Sequence, residues 1–424
     1  MPTSGRGSRP ASRESSTNKY FSRRSVLAAT GTVGAASLAG CLSGFGGGDS
    51  GTLTVGFAEP LSGSIGNLGN EVIRGFKLRV DEELDGEIGG MEVEYAQQDT
   101  AGDPSTGVSA ARKLLQEEQV DVLVGPVSSA VALAMVSPFK QAAQSRDAIW
   151  LNASAANYKI TSEHCLKYQF RIARNTWHAG APMAPYVYEN VSDNVALAFL
   201  DYAGGEQTVN FFQQRFEELG GTIAGRFPVG FDVSDFSSYL QQIEDSGADA
   251  VFGMFIGGNA VNFVKDYAQF GLDENIQLTG IGDMVSERLV QSQQDAAQGA
   301  ITHSFYTSSD DISRNQEFVE SYTSAYPDQG QPDSYSCGGY DSALAIEKGI
   351  EEAGGMDADG IAQTLAGSEL DSPRGFFQFH PDTHDPITEM DIRRVVEQDG
   401  GFGNEVIDKI EKAEPPTWGC TIEE

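Results

Sequence analysis

VDVLVGPVSS, residues 120–129, is the stretch whose reading decides the fold. A near-continuous apolar run with no alternation marks a strand covered on both faces, and such strands belong to parallel sheets flanked by helices. Gly125-Pro126 ends the run. Ser128-Ser129 then puts hydroxyls where a helix would start.

The same grammar extends in both directions. Upstream, LTVGF (53–57) reads as a strand, and Ile73, Phe76, Val80 and Leu84 fall at helical spacing over residues 68–84. Met91, Val93 and Tyr95 alternate as a second strand, and a helix follows Pro104 to Glu118. Downstream, AIWLN (148–152) is a further strand. The alternation then starts again: NVALAFLD (194–201), a helix over 206–219, TIAGRFPV (222–229), a helix over 235–246, ADAVFGMFI (248–256), a helix from Asn259, QLTGI (277–281) and AITHSFY (300–306). Two similar strand–helix blocks predict an α/β protein with two doubly wound parallel sheets. The last third reads as helices over 313–326, 335–353 and 358–366, then GFFQFH (375–380), IRRVV (392–396) and EVIDKI (405–410). It lacks a third complete sheet, so it is expected to return and finish both lobes.

A chain of 424 residues exceeds one ordinary core, which agrees with two lobes. The whole chain holds 28 basic and 61 acidic residues. Residues 1–40 contain six of the basic side chains and one acid, leaving 22 against 60, or −38. Such a surface repels nucleic-acid phosphates and anionic lipid. The acids are dispersed, so they form no disordered acidic tail. High dispersed charge is a lever halophiles use, and a high-salt environment screens its self-repulsion.

Motifs of catalysis are missing: no GxSxG elbow, no HExxH, no GxxxxGK[ST] loop. His380 and His384 in FHPDTHD (379–385) have metal-ligand spacing, but Pro381 and Pro386 break the helix that would align them. Neither enzyme chemistry nor a cofactor nor a metal is expected.

The N-terminus reads as an address. Arg23-Arg24 precedes a weakly apolar run broken by Gly31, Gly34 and Ser37, too short to span a membrane. The twin arginine points to export of a folded protein. Leu38-Ala39-Gly40-Cys41 resembles a lipobox, which implies cleavage and a lipid on Cys41; SGFGGGDSG (43–51) is then a flexible leash. With Cys41 so used, Cys165, Cys337 and Cys420 remain. Cys165–Cys420 is the preferred bridge because Cys337 falls in a helical pattern; three reduced thiols are the alternative.

Binding chemistry gathers where strands end. Ser128, Ser129, Ala153, Ser154 and Ala155 follow two strands of the first block, where hydroxyls and unpaired helix amides suit an anion such as a carboxylate. In the second block Tyr202, Phe255 and Asp283 hold the equivalent positions, two aromatics and an acid suited to an ammonium with an apolar flank. Helix capping by Ser128 and Asp283 and core packing by Phe255 are the structural alternatives.

LTVGFAEPLSGSIGNLGN (53–70), QQDTAGDPSTGVSAARKLL (97–115) and VDVLVGPVSS (120–129) resemble the leucine/isoleucine/valine-binding family, type I periplasmic binding proteins of ABC importers. The resemblance covers residues 51–410. It implies two Rossmann-like lobes joined by three crossovers, placed here near 171–173, 303–306 and 372–376. It divides the chain into a signal with lipobox (1–40), a leash (41–51), an N-terminal lobe (52–172 with 305–374), a C-terminal lobe (173–304 with 375–412) and a tail (413–424). It implies a monomeric, extracytoplasmic receptor that captures a small amino-acid-like solute of the branched-chain class, or an amide, and presents it to an ABC permease. Its carboxylate site carries over to Ser128 or Ser129, Ala153 and Ala155, with Ser154 in place of a threonine. Its amine side carries over to Phe255 and, with one residue of slip, to Asp283; a further aromatic falls at Gly204, with Tyr202 two residues earlier, and an aromatic of the first loop falls at Leu68. A sensor of the same fold and a secreted hydrolase are the rival readings.

Overall fold

The computed structural model describes residues 51–422 apart from Ser64, Arg146 and Asp399. The export signal, Cys41 and all but the last residue of the leash lie outside the described residues. Among these no helix is long and apolar enough to cross a membrane.

The first block folds as β1 (Thr52–Glu59), α1 (Gly66–Lys77), β2 (Glu87–Ile88), β3 (Met91–Asp99), α2 (Pro104–Arg112), β4 (Val122–Val124), α3 (Ser129–Ala143), β5 (Ile149–Asn152), α4 (Lys159–Ser162) and β6 (Gln169–Arg171). These strands form one sheet in the order β2-β3-β1-β4-β5-β6. It is parallel except for the β2–β3 hairpin. β4 and β5 are buried at every residue, as their unbroken apolar sequences demand. The helix expected over 68–84 stops being α-helical at Lys77 and continues as a π-helical turn, Leu78–Glu83.

The second block supplies α5 (Met183–Asn190), β7 (Asn194–Leu200), α6 (Ala203–Glu218), β8 (Thr222–Val229), α7 (Ser237–Asp245), β9 (Ala250–Met254), α8 (Gly257–Phe270), β10 (Gln277–Ile281), α9 (Glu287–Gln293) and β11 (Ile301–Ser304). The final third adds α10 (Ser313–Ala325), α11 (Ser334–Ala353), α12 (Ala358–Leu365), β12 (Glu369–Ser372), β13 (Gly375–Phe379), β14 (Pro386–Gln398) and β15 (Gly401–Ala413). The second sheet runs β12-β13-β14-β11-β10-β9-β7-β8, with β15 on β14. The run from β8 to β11 is parallel, and the C-terminal strands join it antiparallel.

Packing shows how the tail serves both lobes. α10–α12 return to the first lobe, where α11 lies against α1. An added Cβ at Gly75 would sit 1.8 Å from the Ser336 carbonyl oxygen, and one at Gly339 would sit 1.9 Å from that of Val72. Only glycine allows this approach. The return to the second lobe was expected at residue 375, but Phe377, Phe379 and Met390 pack in the first core. The change comes between Met390 and Ile392, since Ile392 and Val395 belong to the second core. Hydrogen bonding and core membership part company here: β13 pairs with β14, yet its apolar face is covered by the first lobe.

Two buried imidazoles tie the crossings together. His303 Nε2 lies 2.9 Å from the His178 carbonyl, and His178 Nε2 lies 3.0 Å from that of Pro386. Burial, which disfavours the charged ring, pushes His178 down to about 3 and His303 to about 4, so both stay neutral.

Candidate functional site

A cavity of about 530 Å³ opens between the C-terminal ends of strands from both sheets, where ligands bind in doubly wound folds. Of the residues singled out from sequence, Ser128, Ser129, Ala153, Ser154, Tyr202 and Asp283 line it.

On the first lobe, Ser128 is the N-cap of α3, with extended backbone and its hydroxyl 3.5 Å from the Val131 amide. Ser129 and Ala130 line the cavity on the first turn, where amides have no partner inside the helix and the dipole favours an anion. The Ser129 hydroxyl accepts from the Ala156 and Asn157 amides at 3.2 and 3.1 Å, and the Ser154 hydroxyl donates to the Pro126 carbonyl at 3.3 Å. These two hydroxyls therefore fasten the loop after β5 to the loop after β4.

Beneath that loop Arg171 is fully buried and ion-paired with Asp385 at 2.8 Å. Its guanidinium also donates to the carbonyls of Ala155 and Asn157 and to the Thr161 hydroxyl. The Asn152 side chain brackets Ala155 from both sides, accepting from its amide and donating to its carbonyl. Ala155 is thereby turned into the core and corrects the expectation that it lines the site.

The second wall carries Tyr202, at the N-terminus of α6, and Asp283, in the turn after β10. Burial, with Asp283 adding to it, pushes the Tyr202 phenol up to about 12, so it is a neutral donor. Phe255 is a second correction: it is buried, stacked on Phe263 at 4.1 Å and edge-on to Phe236. Met254 and Ile256, on either side of it, line the cavity instead, because successive side chains on an extended chain point to opposite faces.

Sequence reasoning missed Arg174, Phe305, Tyr335 and Arg374, which also line the cavity. Arg174, just past β6, donates to the Asp283 carboxylate, so the acid assigned to a ligand amine already has a cation. Among the described lining residues Asp283 is the single carboxylate. Arg374 pairs with buried Asp341 at 2.5 Å and lies 4.1 Å over the Phe305 ring. The remaining surface is largely apolar, with Ile65, Leu68, Leu133 and Ile256 among its members. The cavity thus has paired charges, free helix amides on one wall and an apolar interior.

Two clusters resemble metal sites. Asp310, Glu389 and Asp391 converge, but the Lys409 ammonium stands among them at 2.6, 2.8 and 3.5 Å and supplies the positive charge. His384 is stacked on Phe170 at 4.0 Å, with Nδ1 3.0 Å from the Gln169 carbonyl; burial pushes it down to about 4.

Comparison with known proteins agrees with this architecture. The family model described as periplasmic binding protein matches residues 52–401. Leu/Ile/Val-binding protein homolog 6 of Brucella melitensis is 28% identical over 370 residues, covering 85% of this chain and 92% of that protein. An ABC transporter substrate-binding protein from Sphaerobacter thermophilus superposes with a TM-score of 0.80 at 29% identity, over 85% of this chain and 98% of that one. A solute-binding protein of an ABC transporter from Rhodopseudomonas palustris BisB5, solved with 3,4-dihydroxybenzoic acid, gives 0.78 at 28% identity, over 86% and 99%. With two lobes around an inter-sheet cleft and a family match over most of its length, this chain belongs to the periplasmic binding protein family, as an ABC-transporter substrate-binding protein of the Leu/Ile/Val-binding type.

Proposed function

We propose that this receptor captures a small carboxylate with an apolar, aromatic body. The observation that carries this is the Arg174–Asp283 pair. An α-amino acid needs an acid for its ammonium, and the cavity's one carboxylate already has a cation, which weakens its pull on a second. A carboxylate alone needs only the amides at the start of α3, and an aromatic ring suits the apolar lining. The dihydroxybenzoate bound by the Rhodopseudomonas protein supports the same class. The branched-chain amino-acid class expected from sequence is the second reading, supported by the name of the Brucella relative; it requires Asp283 to serve the ligand ammonium beside Arg174 or to be released from it.

A thermal-shift series separates the two. Benzoate and 4-hydroxybenzoate are expected to raise the melting temperature, by the equivalent of about 2.7 kcal/mol at a hundredfold excess over Kd. L-leucine and L-valine are expected to leave it unchanged. Protection by the amino acids and none by the aromatic acids would reverse the assignment.

In this reading the lobes close over the solute about the crossings near 171–173, near 303–306 and along β14, and the closed form is what a permease engages. Lipid on Cys41 holds the receptor at the outer membrane face, with the −38 charge of residues 41–424 suited to high salt. Cys41→Ala is expected to move the protein from the membrane fraction to the medium; retention would remove the tether.

A further inference from the structure

The last residues of the chain do something the fold does not require. After β15 ends at Ala413, buried in the first core, the chain runs through Glu414-Pro415-Pro416-Thr417 to Trp418 and Cys420. Consecutive prolines keep such a segment extended and stiff. Cys420 is disulfide-bonded to Cys165, beside α4 of the first lobe, across 255 residues of sequence. The segment is therefore fixed to the first lobe at both ends.

What it presents between those ends is an indole. The Trp418 ring centroid lies 5.3 Å from that of Tyr158 and 6.4 Å from that of Phe211, and Tyr158 lies edge-on to Phe211 at 5.3 Å. Tyr158 belongs to the first lobe, directly after Asn157 of the cavity wall. Phe211 belongs to the second: it lies on α6, three residues past Thr208, which lines the cavity on the same helix face. The three rings thus span the boundary between the two walls of the cleft.

The backbone supports the same view. Trp418 has φ 49°, in the left-handed region. For a bulky residue this is costly and persists only where the surroundings fix it; such residues concentrate at clamps and switch regions. A tail with no task would relax to an ordinary conformation, or carry glycine there.

We propose that the C-terminal strap, held to the first lobe by Cys165–Cys420, is a clasp for the closed cleft, with Trp418 and Tyr158 gripping Phe211 of the opposite lobe. An opening that swings α6 away from the first lobe parts Phe211 from both rings. The clasp therefore raises the closed population and slows solute release without touching the solute. This rests on the reading of the cleft as one that closes, but not on the identity of the solute.

The test uses Trp418→Gly, Phe211→Ala and the double variant Cys165→Ser/Cys420→Ser in the mature protein. Trp418→Gly removes the ring and also relieves the left-handed backbone, so it separates clasping from folding. Small-angle scattering of the ligand-free protein reads closure with no ligand. Stopped-flow release of 4-hydroxybenzoate reads the bound state. Each variant is expected to enlarge the ligand-free radius of gyration and to speed release; Trp418→Gly, which removes one ring pair between the lobes, should do so roughly two- to tenfold, and Phe211→Ala, which removes two, by at least as much. Trp418→Phe is expected to restore much of the native behaviour. Unchanged scattering in both Trp418→Gly and Phe211→Ala would overturn the clasp. If 4-hydroxybenzoate fails to bind wild type, the solute assignment falls while the scattering still decides the clasp.

Discussion

Replacing Arg171 with methionine is expected to destabilise the protein by about 3–5 kcal/mol, the usual result of breaking a buried ion pair from one side. Methionine matches the length of the stem but leaves the Asp385 carboxylate with no cation, held by the Thr161 hydroxyl and the Asn175 amide, in an interior that already raises its pKa by burial. It also takes one donor from each of the Ala155 and Asn157 carbonyls, leaving them to the Asn152 side-chain amide and the Ile160 N–H. The loss should appear as a lower urea midpoint with an unchanged slope. Solute binding should fall with it, because the loop from Ala153 to Asn157 forms one wall of the cleft. Adding Asp385→Leu should recover most of the stability and little of the binding, since an apolar pair repacks the core but cannot hold the loop. An unfolding free energy within about 1 kcal/mol of wild type would show that the pair is peripheral to the fold.

Arg174→Met is expected to change what the cleft prefers. It removes the partner of Asp283 and leaves a half-buried carboxylate facing the cavity. A ligand ammonium would then gain a charge-assisted hydrogen bond worth about 1.5–3 kcal/mol, which is roughly 10- to 150-fold in affinity. Calorimetry should find L-leucine binding strengthened by that factor and benzoate weakened by the exposed negative charge. Arg174→Met/Asp283→Asn should abolish the gain. An unaltered ratio of leucine to benzoate affinity in Arg174→Met would mean that the pair has no part in selection.

The sequence made the scaffold legible and the chemistry only half so. Buried parallel strands announce themselves because both faces must be apolar, and VDVLVG, AIWLN and ADAVFGMFI do so without reference to any partner. Positions immediately after those strands could be assigned to the cleft for the same reason, which is how Ser128, Ala153, Tyr202 and Asp283 came to be named. What could not be read was direction within one residue. Phe255 and Ala155 sit at cleft-edge positions in sequence, yet one is drawn into an aromatic stack and the other bracketed by Asn152. Nor could the ion pairs be read: Arg174 and Asp283 are 109 residues apart, and Arg374 reaches Asp341 from a turn. In a chain with so few cations, an arginine just past a strand is the signal that deserved following. Hydrogen-bond pairing and core packing also diverge in β13, which is why the lobe boundary was set too early.

The strand β14 has a consequence for how such a molecule could ever be taken apart. It gives Met390 to one core and Ile392 to the other, two residues apart on a single extended stretch. There is no seam along which the gene could be divided into two modules, because either half would lose a strand its neighbour depends on. Shuffling a lobe from one ancestor to another would have to carry this strand across whole.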